Sequence, residues 1–298
     1  MKIDPRVWKP TAAAFVLFTL GIGYAYFIEP TRLVVNRSEI KVKDWNPAFD
    51  GFRVALVSDV HGGSNNVTAE YLRGLVSKIN DEDVDAIFLL GDYISRDQTD
   101  PSRLRMPAAG VVDGLKGMRA RYGVYVVLGN HDEAYAANEL LKAFSTTGYN
   151  VLNGRLAEIN IAGGQKLRIY GLLDHTNIGI WANFSGNAKR DLAPTDGTGD
   201  LIVLQHSPDV VPVVTGDLLI SPDLKIMFAG HTHGGQVWLP IIGAPLVPSM
   251  FGQKYAAGHV KTAGIDLFVT TGVGTSILPF RFLVPPEIAV VTIRSENK

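Results

Sequence analysis

The strongest constraint in this sequence is a series of short apolar stretches that each stop at a residue able to bind a metal. The stretch 52–58 (FRVALVS) stops at Asp59, 84–90 (VDAIFLL) at Gly91 and Asp92, and 123–128 (GVYVVL) at Gly129, Asn130 and His131. Leu201–Leu204 stops at Gln205 and His206, and Leu224–Ala229 runs into Gly230, His231, Thr232 and His233. The stretches are continuous, not alternating, which is the pattern of strands buried on both faces. Helical spacings lie between them. Thr68 is placed to cap a helix through Asn80, with Leu72, Leu75, Val76 and Ile79 at helical intervals, and 108–119 reads as a second helix weakened by Gly110, Gly114 and Gly117. Strands alternating with helices predict an α/β layered fold, which builds its sites at the carboxyl ends of strands.

Composition supports a globular chain: of 298 residues, 46% are hydrophobic and 19% charged, too apolar for disorder. Net charge is −1 and no long basic block occurs, so a nucleic acid is not an expected partner. Cysteine is absent, which excludes disulfides, thiolate ligands and cysteine nucleophiles and leaves oxygen and imidazole as metal donors.

The N-terminus departs from this pattern. Between Lys9 and Glu29 lie 19 uncharged residues, PTAAAFVLFTLGIGYAYFI. As a helix they rise about 28 Å, close to the roughly 30 Å core of a bilayer. Tyr24, Tyr26 and Phe27 suit a membrane interface. We read residues 1–29 as a single uncleaved anchor; the rival is a cleaved signal peptide, for which no clear small-x-small site follows. Lys2, Arg6 and Lys9 are balanced by Arg32, Arg37, Lys41 and Lys43 across the segment and assign no orientation. Residues 30–51 are expected to form a juxtamembrane strand and a turn at Asn46-Pro47, with the main domain over 52–298.

Asp59-x-His61, Asp92, Asn130-His131, His206 and His231-x-His233 gather five of the seven histidines. Singly, each has an ordinary reading: a strand-end aspartate caps a helix, Gly-Asn makes a turn, a lone histidine packs. Five such groups in succession, all at strand ends, are hard to reach by accident.

The series D-x-H, G-D, G-N-H-D, H, G-H-T-H resembles the signature of calcineurin-like metallophosphoesterases over residues 52–293. The stretches GGQVWLPIIGAP, GQKYAAG and PFRFLVPPEI resemble a membrane-associated branch that includes predicted phosphodiesterases and UDP-2,3-diacylglucosamine pyrophosphohydrolases. The resemblance implies a layered β-sandwich flanked by helices, preceded here by a transmembrane helix, with 52–298 as the catalytic domain. It also implies two divalent metal ions; mixed imidazole and carboxylate donors suit manganese, iron or zinc. Two such ions about 3.5–4 Å apart clamp a phosphoryl group and make water nucleophilic near neutral pH.

By the resemblance, Asp92 bridges the metals, Asp59, His61 and His233 complete one site, and Asn130, His206 and His231 complete the other. His131 is then catalytic without being a ligand, stabilising charge or protonating the leaving oxygen. The phosphatase pattern G-D-x-x-D-R is broken: GDYISR has Ser95 where an aspartate would orient that histidine, although Arg96 matches. Asp132 is expected to take over the orienting role. His175 and His259 are assigned surface or packing roles.

Residues 233–253 (HGGQVWLPIIGAPLVPSMFGQ) carry no formal charge with histidine neutral, and their prolines and glycines preclude a membrane helix. Trp238, Ile241, Ile242, Leu246, Met250 and Phe251 form either a loop folded on its own core or an acyl groove and membrane-facing rim beside the metals. The expectation is a hydrolase at a membrane, of bacterial inner-membrane type, cleaving a phosphodiester or pyrophosphate bond. Its partners would be the lipid bilayer and a phosphorylated lipid or nucleotide-type substrate such as UDP-2,3-diacylglucosamine. The alternatives are a phosphomonoesterase or protein phosphatase, and a non-catalytic scaffold, which would be expected to lose ligands that this chain keeps.

Overall fold

The computed structural model describes residues 5–97, 99–161, 164–177, 181–193 and 199–296. Their strands form two six-stranded sheets. The first has the order β1 (Val34–Lys43), β12 (Glu287–Glu296), β2 (Phe52–Val57), β3 (Ala86–Leu89), β4 (Val124–Val126) and β5 (Asn150–Val151). The second has the order β10 (Gly258–Thr262), β11 (Ile265–Val269), β9 (Leu224–Ala229), β8 (Leu201–Leu204), β7 (Lys166–Gly171) and β6 (Arg155–Asn160). β2 through β5 run parallel, as do β7, β8, β9 and β11.

The sheets pack face to face, and the alternation inside each strand explains the continuous apolar runs. Val54 and Leu56 of β2 point between the sheets, whereas Ala55 and Val57 point outward to α2 (Ala69–Asn80), α3 (Ala108–Gly114) and α5 (Ala137–Phe144). Phe88 of β3 meets Phe228 of β9 across the interface, ring centroids 5.5 Å apart. Full burial of such a side chain contributes about 1.5–3 kcal/mol. Helices α6 (Trp181–Leu192) and α7 (Val211–Thr215) cover the outer face of the second sheet. This is the expected layered sandwich flanked by helices.

Thr68 caps α2, its hydroxyl accepting from the Tyr71 N–H at 3.2 Å. The second helix is shorter than 108–119 and stops at Gly114, whose close approach to α2 leaves no room for a side chain: a Cβ there would come within 2.9 Å of Leu72. Residues 30–51 differ more. The turn forms, with the Asn46 side chain accepting from the Ala48 N–H, but the strand before it is not a separate juxtamembrane piece. It is the edge of the first sheet, parallel to β12 along its whole length, from Val34 opposite Glu287 to Lys43 opposite Glu296.

The N-terminal helix, α1 (Pro5–Gly23), continues as a π-helical turn over Tyr24–Ile28 and a 3-10 turn over Glu29–Thr31. Trp8–Thr31 is long and apolar enough to cross a membrane, by length and composition, and Phe15, Leu17, Phe18 and Leu20 are exposed. Its end nevertheless seats on the domain. The Arg281 N–H donates to the Ala25 carbonyl at 3.1 Å, the Asn65 amide donates to the Tyr26 carbonyl at 2.8 Å, and the Tyr24 and Phe282 rings meet edge-on at 6.4 Å.

Candidate metal centre

The carboxyl ends of β2, β3, β4, β8 and β9 converge at one edge of the sandwich, bringing the expected residues with them. The sheets come close there because Gly230 lacks a side chain; a Cβ would lie 2.0 Å from the Ser58 hydroxyl. The His231 N–H then donates to Asp59 Oδ2 at 2.9 Å and stitches β9 to β2. Backbone conformation is unusual here. Asp59, His61, Asp92, His231 and His233 all have positive φ, 53°, 44°, 56°, 72° and 52°. Non-glycine residues occupy this region at a cost of order 1–3 kcal/mol each, and such strain concentrates at functional sites.

Two triplets result. Asp59, His61 and His233 offer ligand atoms within 4.8 Å of one another, and so do Asp92, His206 and His231. In the first, His233 Nε2 lies 3.2 Å from both His61 Nε2 and Asp59 Oδ1. In the second, His206 Nε2 lies 3.2 Å from His231 Nδ1 and from Asp92 Oδ2. Asp92 Oδ2 is also 3.6 Å from His61 Nε2, so this carboxylate stands between the triplets.

The donor set fits divalent metal ions. His61 Nδ1 faces the Ile94 carbonyl at 3.1 Å and His206 Nδ1 faces the Leu90 carbonyl at 2.8 Å. A carbonyl only accepts, so both Nδ1 atoms carry a proton; neutral His61 turns its Nε2 lone pair into the site, and His206, protonated against Asp92 here, would give up its Nε2 proton to an ion. Asp59 Oδ1 and Asn130 Oδ1 are buried with no hydrogen-bond partner among the described residues. Burial brings His61 and His231 down to about 4 and His233 well below the ordinary imidazole range, the neutral form in which histidine ligates. Burial also opposes charge on Asp92 and His206, but their mutual attraction overrides it, holding Asp92 well below the carboxylate range and His206 up to about 10.

His131 is the second residue of the short helix α4 (Asn130–Tyr135) and belongs to neither triplet. Its N–H donates to Asp92 Oδ1 at 2.9 Å, its ring meets His61 edge-on at 5.0 Å, and its Nδ1 is buried without a partner. Asp132 does not orient it. That carboxylate accepts from the N–H groups of Asp92 (2.7 Å), Tyr93 (2.8 Å), Ile94 (3.3 Å) and Gly129 (2.9 Å), so it braces the loop that presents Asp92. The neighbour that sequence reasoning missed is Tyr135, four residues on along α4 and 5.9 Å from the His131 ring, with the Arg96 guanidinium 4.1 Å above its face. The i, i+4 spacing was the available signal. His175 stacks on Trp181 and His259 bonds Asp266; neither is in a triplet.

A cavity of about 190 Å³ opens over these groups. Asp92, His131, His231 and His233 line one part of it, and Leu246, Pro248, Ile277 and Leu278 line another. Gln236, also unassigned from sequence, shapes the apolar part: its side chain donates to the Leu278 and Phe280 carbonyls and accepts from the Ser276 N–H.

An α/β sandwich carrying adjoining clusters of buried imidazole and carboxylate at its strand ends is the architecture of a metal-dependent hydrolase. Comparison with known families narrows this. The calcineurin-like phosphoesterase model matches residues 52–235, and the chain belongs to that family of metal-dependent phosphoester hydrolases. It is 31% identical over 278 residues to the uncharacterized metallophosphoesterase YkuE of Bacillus subtilis (strain 168), spanning 93% of this chain and 91% of that one. It is 24% identical over 294 residues to the phosphodiesterase YaeI of Escherichia coli (strain K12), spanning 98% and 99%. A transmembrane protein with metallophosphoesterase domain from Danio rerio is 26% identical over 268 residues, 86% of this chain and 56% of that protein.

Proposed function

We propose that the chain is a membrane-anchored binuclear metal phosphohydrolase that cleaves a phosphodiester or pyrophosphate bond in a lipid-linked substrate. Asp59, His61 and His233 would hold one ion and Asn130, His206 and His231 the other, with Asp92 shared between them. The orphaned oxygens of Asp59 and Asn130 support this assignment. Bound there, the ions supply charge neutralisation and an acidified water. The chain's own part is to hold the phosphate against them and to place His131 beside the leaving oxygen, with the Nδ1 of its ring free of other bonds.

The single observation that carries the lipid part is the apolar wall of Leu246, Pro248, Ile277 and Leu278 beside the metal donors. Outside the cavity the same loop exposes Trp238, Ile242 and Met250, and Ile241 is fully exposed at φ 76°. A tight hairpin between Leu239 and Gly243 holds Ile241 out. The Trp238 N–H bonds the Phe282 carbonyl at 2.9 Å, in the segment that seats the end of the N-terminal helix, so the rim and the anchor are continuous. The YaeI name supports diester chemistry.

The test is hydrolysis in detergent with manganese of a chromogenic phosphodiester and of UDP-2,3-diacylglucosamine, with Asp92→Asn and His131→Ala as controls. Turnover of the lipid nucleotide well above the small diester, lost in both variants, is expected. Turnover of the small diester alone removes this lipid nucleotide as substrate, and no turnover of either favours the non-catalytic scaffold.

A further inference from the structure

Behind His233 lies a cation that phosphoester chemistry does not use. Arg281 is 0% exposed, and among the described residues no carboxylate lies within ion-pair distance of it. Its guanidinium is instead held by backbone carbonyls: Gly274 at 2.7 Å, Thr271 at 2.8 Å, and Gly272 and Val284 at 3.2 Å. The loop it gathers also backs the metal centre, since the Val273 and Gly274 N–H groups donate to the Ser58 and Asp59 carbonyls at 3.1 and 2.7 Å. Arg281 Nη2 reaches to 3.5 Å from His233 Nδ1. On its other side the Arg281 N–H holds the Ala25 carbonyl at the end of the N-terminal helix.

A buried charge left without an acidic partner is costly unless something requires it. The carboxylates whose fields reach Arg281 are Asp59, Glu287 and Glu29. Glu29 belongs to the helix end and is buried; its Oε2 has no hydrogen-bond partner among the described residues and lies 3.9 Å from the Arg32 guanidinium, so its charge is shared between Arg32 and the field at Arg281. One residue therefore meets both sides: its guanidinium holds the loop that backs the Asp59 strand end and reaches His233, and its backbone N–H holds the helix.

We propose that Arg281 is a positioning residue that fastens the end of the N-terminal helix to the His233 side of the metal centre, so that seating of the helix and retention of one metal ion are linked. This rests on the assignment of Asp59, His61 and His233 to one ion. A planar guanidinium suits the position because it reaches several carbonyls at fixed angles, which a lysine ammonium does not. The helix end is then part of the scaffold of the centre as well as a tether.

The experiment measures manganese bound per full-length chain in detergent, by metal analysis and by electron paramagnetic resonance, for the wild type, Arg281→Lys and Glu29→Gln. The wild type is expected to bind two ions with a spin-coupled spectrum. Arg281→Lys keeps the charge and loses the fork. It is expected to weaken one ion by about 10–100-fold, the usual effect of removing support behind a ligand, and to show the six-line spectrum of an isolated ion. Glu29→Gln, which removes a buried charge and keeps the shape, is expected to show a smaller, several-fold loss at the same ion.

A folded Arg281→Lys chain that holds both ions with unchanged affinity overturns the proposal. Should that variant fail to fold, Glu29→Gln decides: wild-type affinity for both ions overturns the link to the helix. A wild type that binds no manganese, zinc or iron overturns the metal assignment itself, which separates the two failures.

Discussion

The strand-end cluster and the 238–251 loop both hold residues in backbone conformations that side chains disfavour, yet they do so in opposite settings. Asp59, His61 and Asp92 are buried in a mesh of amide bonds, such as the Asp59 N–H to the Gly91 carbonyl and the His61 N–H to the Asp92 carbonyl, each 2.9 Å. Ile241 sits at φ 76° with its side chain wholly in solvent, held by two 2.8 Å bonds between Leu239 and Gly243. Strain braced on all sides fixes donor atoms for chemistry. Strain that pushes a branched apolar side chain outward braces nothing within the domain, in keeping with the proposed membrane-facing rim.

Four substitutions or treatments test that division. Asp92→Asn should have the largest effect, on the order of 10³-fold or more on turnover of a small diester, because the carboxylate between the triplets is lost. Retention of even a tenth of the wild-type rate would break the idea that the two donor sets act as one. His131→Ala should lower kcat by about 10²–10⁴-fold with both metal ions still bound, read by turnover together with metal analysis. Loss of metal in that variant would move His131 among the ligands.

Removing metal with a chelator should lower the melting temperature by roughly 5–10 °C, the amount expected for about 2.7 kcal/mol of binding at a hundredfold excess over Kd. An unchanged melt would separate the cluster from the stability of the sandwich. The smallest effect belongs to the rim. Ile241→Gly relieves the positive φ and should raise stability by up to about 1–3 kcal/mol. Turnover of a lipid-bearing diester should fall several-fold while a small diester is unaffected; equal change on both would remove the functional difference between the regions. Phe251 is a poorer probe than the sequence suggests, because it packs against Tyr255 at 5.1 Å.

The convergence of the candidate donor residues was legible because each is the wrong residue type to end an apolar run unless it has a task, and because strands deliver such residues to one edge. The sandwich was legible through continuous runs in β2, β3, β8 and β9. What escaped depends on partners far apart in the chain. Nothing in VVNRSEIKVK says that it lies beside residues 287–296, and β1 was accordingly placed outside the domain. Asp132 sits next to His131 in sequence, yet its carboxylate turns to the amides at 92–94, about 40 positions earlier in the chain. Arg281 lies within PFRFLVPPEI and offers no local cue, since its partners are carbonyls and carbonyls occur at every residue.

Each triplet takes donors from both sheets: Asp59 and His61 with His233 in one, Asp92 with His206 and His231 in the other. Neither half of the sandwich carries a complete set, so an ion gains its full coordination only once the two halves have docked. Metal capture would then follow the docking of the halves, and its stabilisation would fall on the reverse step. Ions held there would act as a latch: they would leave the speed of folding unchanged and slow the opening of the sandwich, giving the loaded protein a longer native lifetime.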